Sequence, residues 1–437
     1  MNTHSNSSSQ QTRRDFIKSS AAVGAALAAP AILSGNLFAA ENSGTLRVGL
    51  IGCGGRGRGA AMQALNADNN VVLTAMGDAF PEQIEEGLKE IQKNEKVVSR
   101  IKVTPEKCFS GLDAYQKVID SGVDVVLLAS PPGFRPVHFK AAVEANKHVF
   151  CEKPVATDAP GVRSVLESAK LAKTKKLSIV SGFCWRAEGA RREFYKRIHD
   201  GEIGAVRAIY ANYYGGPVRA MPPAKERPSG MGDLEWQMRH WYNFTWLSGD
   251  GLVEQACHSV DKIAWAMKDV PPTKAVAVGG RQIPNNEGNI FDHIFVVYDF
   301  PGDVKGFLGQ RQISNCHNEN SDTVMCADGV GKIPGWSEPY LTGKSTWKYR
   351  GPKTDMYQQE HNELFASIRA GDARNDGDWM AQSTLMAIMA RMAAYTGQEV
   401  SWEDAMNSKE SIVPATLDWK MKLSIKPMAT PGVTELV

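Results

Sequence analysis

The chain has 437 residues, 43% of them apolar and 22% charged, with a formal net charge of +2. That length allows two or three domains with substantial cores, and the near-neutral balance excludes a charge-driven nucleic-acid binder. The seven cysteines (53, 108, 151, 184, 257, 316 and 326) show no C-x-x-C pair and no compact cluster, so no metal site is expected, although Cys316 and Cys326 could pair in an oxidising compartment.

The first forty residues read as an address. Thr12-Arg13-Arg14-Asp15-Phe16-Ile17-Lys18 is followed by an apolar, alanine-rich run from Ala21 to Leu33 and by the small residues Ala39 and Ala40. This resembles a twin-arginine export signal, with residues 1–40 as the signal peptide and cleavage near Ala40. The run is short for a membrane span and Pro30 interrupts it. The twin-arginine route carries folded proteins, so the chain is expected to reach the periplasm already folded.

The mature part opens with Leu46-Arg47-Val48-Gly49-Leu50-Ile51, an apolar run suited to a buried parallel strand. It turns directly into Gly52-Cys53-Gly54-Gly55-Arg56-Gly57, a G-x-G-x-x-G pattern. A helix over Arg58–Ala67 and a strand over Val71–Met76 follow, ending at Asp78. Strand, glycine turn, helix, strand and acid make a complete βαβ dinucleotide-binding unit. Gly52 permits the tight turn, Gly54 leaves room for a pyrophosphate, and Gly57 lets the helix pack close to the sheet. Asp78 is placed to accept hydrogen bonds from an adenosine ribose, which favours NAD; Arg56 and Arg58 keep NADP open.

The βα pattern continues with a helix over Pro81–Lys93 and a strand over Val123–Ala129 that ends at Ser130-Pro131-Pro132-Gly133. A helix over Arg135–Ala145, a strand over Lys147–Cys151 delivering Glu152-Lys153-Pro154, a helix over Gly161–Lys173 and a strand over Leu177–Gly182 complete it. The Rossmann unit is therefore assigned to residues 45–185. Beyond it, Val206–Tyr214 reads as a strand, and a Gly/Pro/Met-rich loop leads to the aromatic stretch Trp236–Trp246. Runs at Thr273–Val278, Ile290–Phe300 and Val304–Ile313 read as strands of one sheet, and Tyr357–Ala370 and Trp379–Tyr395 as helices.

Glycine turn and Glu152-Lys153-Pro154 together resemble the Gfo/Idh/MocA oxidoreductases, relatives of glucose-fructose oxidoreductase and inositol dehydrogenase. The likeness continues in Gly182-Phe183-Cys184-Trp185-Arg186, in Gly201-Glu202-Ile203-Gly204 and in Glu254-Gln255-Ala256-Cys257-His258-Ser259-Val260-Asp261. It implies an α/β Rossmann domain followed by a substrate-binding α/β domain, here residues 186–425, with a large, mostly antiparallel open sheet. Four positions depart from the family's usual residues. Glu254 stands for Asp, Ala256 for Gly, Arg135 for a histidine with His138 one turn later, and Cys184 for an amide.

The resemblance places Lys153 and His258 beside the nicotinamide. His258 would take a hydroxyl proton, Lys153 would stabilise developing alkoxide, and Glu254 would position the hydroxyl or the imidazole. Expected cofactor contacts are Gly52, Gly54, Gly55, Arg56, Gly57, Asp78, Ser130, Pro131, Arg135, Glu152 and Lys153. Expected substrate contacts are Arg186, Arg239, Trp241, Tyr242 and Asp261, with Arg311, Asn315, His317 and Asn318 as weaker candidates. The predicted function is hydride transfer between tightly bound NAD and a hydroxyl of a sugar, polyol or glycoside. Two alternatives remain on sequence alone: a redox-neutral glycosidase working by transient C3 oxidation, with Tyr213, Tyr214, His240 or Tyr242 as an extra acid or base, and a silent sugar-binding protein. The resemblance also implies a dimer or tetramer formed through the open sheet.

Overall fold

In the computed structural model, which describes residues 44–283 and 286–437, the apolar runs of the first half assemble into one parallel sheet. Its strands are β1 (Leu46–Ile51), β2 (Val71–Asp78), β3 (Cys108–Ser110), β4 (Val125–Leu128), β5 (His148–Cys151) and β6 (Ile179–Ser181). They lie in the order β3-β2-β1-β4-β5-β6. The strand order reverses at the β1–β4 pair, so the connections that leave their carboxyl ends run to opposite sides and leave a crevice between them. Val125 to Leu128 are buried on both faces, which is why this strand reads as an unbroken apolar run. The expected signal peptide and its cleavage site lie outside the described residues.

The second sheet contains β7 (Val206–Gly215), β8 (Lys274–Gly280), β9 (His293–Phe300), β10 (Val304–Gln312) and β11 (Asp322–Cys326), then β12 (Gly329–Ile333), β13 (Tyr340–Gly343), β14 (Trp347–Lys348) and β15 (Val400–Ser401). Its order is β14-β13-β12-β11-β7-β10-β9-β8-β15, and every pairing is antiparallel except β10 with β7. Strands β11 to β14 were not foreseen. They are short and carry Gly329, Gly331 and Lys332 among few apolar residues, so no period of two stands out.

Helix Gly377–Thr396 joins the two sheets and is apolar nearly all round. Its Met386 carbonyl accepts from the Tyr298 hydroxyl at 3.0 Å, and its buried Arg391 donates to the Thr157 carbonyl at 2.6 Å. One apolar cluster consequently runs from Val149 and Ile179 through Leu385 and Met389 to Ile294 and Val296. Helix Met356–Ala370 turns back to the first sheet, where Leu364, Phe365 and Ile368 pack with Leu50 and Phe150. Gln358 Nε2 fastens it there, donating to the Gln63 carbonyl at 2.9 Å.

The seven cysteines are all free; Cys316 is exposed and Cys326 sits half-buried in β11, so the pairing that an oxidising compartment would have allowed is not formed. Among the described residues no helix is long and apolar enough to cross a membrane. No group of three or more His, Cys, Asp or Glu side chains among them is placed to hold a metal ion.

Candidate active site

The carboxyl ends of β1, β2, β4 and β5 open into a cleft of about 610 Å3. At one end Gly52, with φ +91°, makes the turn off β1. A Cβ on Gly57 would lie 1.9 Å from the Gly52 carbonyl oxygen, so helix Gly55–Ala67 and the turn touch backbone to backbone. A Cβ on Gly54 would meet only Gln83 Oε1 at 4.0 Å. The space in front of Gly54 is thus open, and the first helical N–H groups carry no side-chain cap, which is the arrangement an anionic phosphate requires. Asp78 lines the cleft at the end of β2 and accepts from the Cys53 N–H at 2.8 Å and the Phe80 N–H at 3.0 Å. Burial pushes its pKa up.

The two arginines of the turn are engaged by partners other than Asp78. Arg56 pairs with Glu152, reaches Gln63 at 2.7 Å and lies over the Tyr357 ring at 4.9 Å. Arg58 donates to the Cys53 carbonyl at 3.0 Å and pairs with Glu86 at 3.2 Å. Ser130, Pro131 and Arg135 line the cleft beyond β4. Ser130 Oγ is 3.0 Å from His138 Nδ1, and that ring stacks on Tyr115 at 4.2 Å. Arg135 is buried, donates to the Pro154 carbonyl at 2.6 Å and leaves its Nε without a partner.

Lys153, Glu254 and His258 meet at the floor. Lys153 Nζ lies 3.2 Å from Glu254 Oε1 and also bonds the Glu254 carbonyl. Glu254 belongs to a π-helical turn, Leu252–Ala256, that runs into helix Cys257–Ala266 carrying His258. Such turns concentrate at functional sites because they re-aim side chains without ending a helix. Burial first, then Lys153 and Lys262, hold the His258 imidazole well below its ordinary pKa, so it is neutral at neutral pH. His258 Nδ1 and Glu254 Oε2 are buried with no hydrogen-bond partner. Two unsatisfied polar atoms beside an ammonium are polar capacity held ready for a ligand.

The expected substrate residues divide. Trp241 and Arg239 line the cleft, as does His240. Arg186 and Asp261 do not: the Arg186 guanidinium holds Asp261 at 2.8 Å and Asp269 at 2.6 Å, lies over Trp379 at 4.2 Å, and braces helix Cys257–Ala266 from behind. Tyr242 is buried behind the wall, where its hydroxyl accepts from Gln312 Nε2 at 2.6 Å. Arg311 stacks over Tyr214 at 5.3 Å, away from the cleft. Sequence reasoning missed Tyr357, Phe80, Gln255 and Arg219, which also line it. Tyr357 arrives from a helix distant in sequence, and nothing near it in the chain signals a site.

Comparison with known proteins bears on this geometry. Residues 46–182 match the profile of an oxidoreductase family with an NAD-binding Rossmann fold, and residues 10–30 match the twin-arginine translocation signal sequence. An inositol 2-dehydrogenase of Salmonella typhimurium is 24% identical over 331 residues, 75% of this chain and 87% of the relative. An inositol 2-dehydrogenase of Acidiphilium cryptum is 29% identical over 167 residues, 38% of this chain; here the match spans 45% of the relative, less than half its length. Levoglucosan dehydrogenase in complex with NADH and levoglucosan superposes with a TM-score of 0.65 at 18% identity, covering 82% of this chain and 99% of that one. The aldose-aldose oxidoreductase of Caulobacter crescentus gives 0.64 at 17% identity with the same coverage. At those identities the structures show a shared fold.

Proposed function

We propose, from the match of residues 46–182 to the Gfo/Idh/MocA oxidoreductases with their NAD-binding Rossmann fold, that this chain oxidises or reduces a hydroxyl-bearing carbon of a sugar or polyol. The observation that carries the proposal is the meeting of Lys153, Glu254 and His258 in the same cleft as the open glycine turn and Asp78. The residues fit NAD: Gly54 leaves phosphate room, Asp78 offers a carboxylate at ribose position, and both nearby arginines are turned toward other partners. When bound, NAD supplies the two-electron acceptor for the alcohol carbon.

The protein side of the chemistry follows from the floor. Loss of electrons from an alcohol carbon requires that the hydroxyl proton leave, and a neutral imidazole is matched to take it. His258 is neutral, and burial together with Lys153 and Lys262 opposes a standing charge on it. Lys153 keeps its charge because nearby acidic groups, Glu254 foremost, outweigh the burial that works against it. An ammonium fixed before the reaction stabilises developing alkoxide with no reorganisation. Glu254 Oε2, lacking a partner, accepts from a neighbouring hydroxyl and orients the ring.

The inositol dehydrogenases and levoglucosan dehydrogenase to which the chain is similar support a sugar or polyol substrate. The twin-arginine signal marks the chain for export, and the periplasm is its proposed destination. There the dinucleotide stays bound, and a second carbonyl compound or an external acceptor restores it. The test is absorbance in the reduced-nicotinamide band on purified protein supplied with sugars, polyols and glycosides. A lasting rise that a carbonyl compound bleaches is expected; release of an aglycone without lasting change would overturn the reading.

A further inference from the structure

We infer that Arg239, with Glu82, Phe80 and Trp419, forms an outer wall to the adenosine end of the cleft and slows release of the dinucleotide; this rests on the NAD-dependent reading above. Arg239 and Phe80 both line the cleft, and Phe80 follows closely on Asp78, where the ribose is expected. Arg239 Nη1 pairs with Glu82 at 2.6 Å and its Nε with Glu235 at 2.8 Å, while its guanidinium carbon lies 4.1 Å from the centre of the Phe80 ring. Trp419 packs on Phe80 with ring centroids 5.7 Å apart.

The C-terminal segment is anchored where it delivers Trp419. Leu423 N–H donates to Asp233 at 3.1 Å, and Gln237 Nε2 donates to the Leu423 carbonyl at 2.8 Å. Helix Asp233–Arg239 and this segment therefore act as one piece, tied across the cleft mouth to Glu82 at the start of helix Pro81–Gln92. A dinucleotide lying along Asp78 leaves only after that tie opens. Arg239 is accordingly a positioning residue for the cofactor, whereas its sequence context suggested a substrate contact.

The experiment is displacement of bound NADH by excess NAD, followed by nicotinamide fluorescence, on the full-length mature protein. Arg239→Ala and Trp419→Ala are each expected to speed release about tenfold, equivalent to about 1.4 kcal/mol. Arg239→Lys, which keeps the charge without a planar group over Phe80, is expected to fall between. Thermal unfolding of the cofactor-free variants checks that the fold is intact. The KM for the sugar is expected to change far less than the release rate, a split that a substrate contact would reverse. Unchanged release from both alanine variants would overturn the wall, and so would a raised sugar KM with unchanged release. Absence of NADH binding in the unaltered protein would bring down the functional reading itself, a result distinct from either.

Discussion

Lys153→Met removes the ammonium and keeps the bulk of the side chain. At 3.2 Å the Lys153–Glu254 attraction is about 5 kcal/mol for an effective dielectric near 20, before desolvation is subtracted. Both side chains are only 10% exposed, so removing one partner leaves a buried charge and costs about 3 kcal/mol of stability. Lys153 has a folded pKa above the ordinary lysine value. The contribution of such a group is complete below its unfolded pKa of about 10.4 and is lost only as pH rises beyond it. The stability deficit should therefore be flat from about pH 6 to pH 9, as urea unfolding reads it. Turnover should fall about a thousandfold, the combined scale of lost proton-transfer assistance and lost charge stabilisation, with NADH affinity nearly unchanged. Adding Glu254→Gln should return most of the lost stability and none of the turnover. A Lys153→Met protein that keeps more than about a tenth of its turnover, or a double variant that recovers it, would refute the reasoning.

Gly54 and Gly57 separate ligand from fold. Gly57→Ala puts a Cβ against the Gly52 carbonyl and should cost about 3 kcal/mol or more in thermal unfolding; Gly54→Ala meets nothing closer than 4.0 Å and should spare stability while weakening NADH binding by calorimetry. Asp261→Ala strips the buried Arg186 guanidinium of one of its two carboxylates and should cost about 3 kcal/mol in urea, marking Asp261 as a brace. His361 is held down to about pKa 3, chiefly by burial and then by Arg56. A depressed pKa gives stability that is whole above the unfolded value of about 6.5 and declines as pH falls toward the folded one. Between pH 6.5 and 5 this histidine should cost the unaltered protein about 2 kcal/mol relative to His361→Gln, and a gap that stays constant with pH would contradict the assignment.

The parts of the site legible in the sequence are those that one local segment builds. The glycine turn from Gly52 to Gly57 and Asp78 belong to a single βαβ unit, and each residue's task follows from turn and helix geometry. Lys153 and His258 could be named only through resemblance, since no local spacing shows that β5 and helix Cys257–Ala266 meet. The π-helical turn at Leu252–Ala256 was invisible because it changes neither composition nor period enough to register. Arg186 was expected at the substrate through the resemblance carried by Gly182 to Arg186, whereas its guanidinium is taken up by Asp261 and Asp269, far along the chain. Arg239 lines the cleft, and its pairing with Glu82 was not legible because Glu82 sits on a helix that appears in sequence only as polar surface.

The apolar cluster that runs unbroken from the first sheet through helix Gly377–Thr396 to the second bears on export. A chain whose halves had separate cores could present a finished cofactor-binding lobe while the other was still being made. Here the first sheet waits for Leu364, Phe365 and Ile368, and its other face waits for Leu385 and Met389. The two sheets are therefore expected to fold as one cooperative unit, with the first sheet fully covered only once helix Gly377–Thr396 has packed. A chain packed in this way suits the twin-arginine route, which accepts folded cargo.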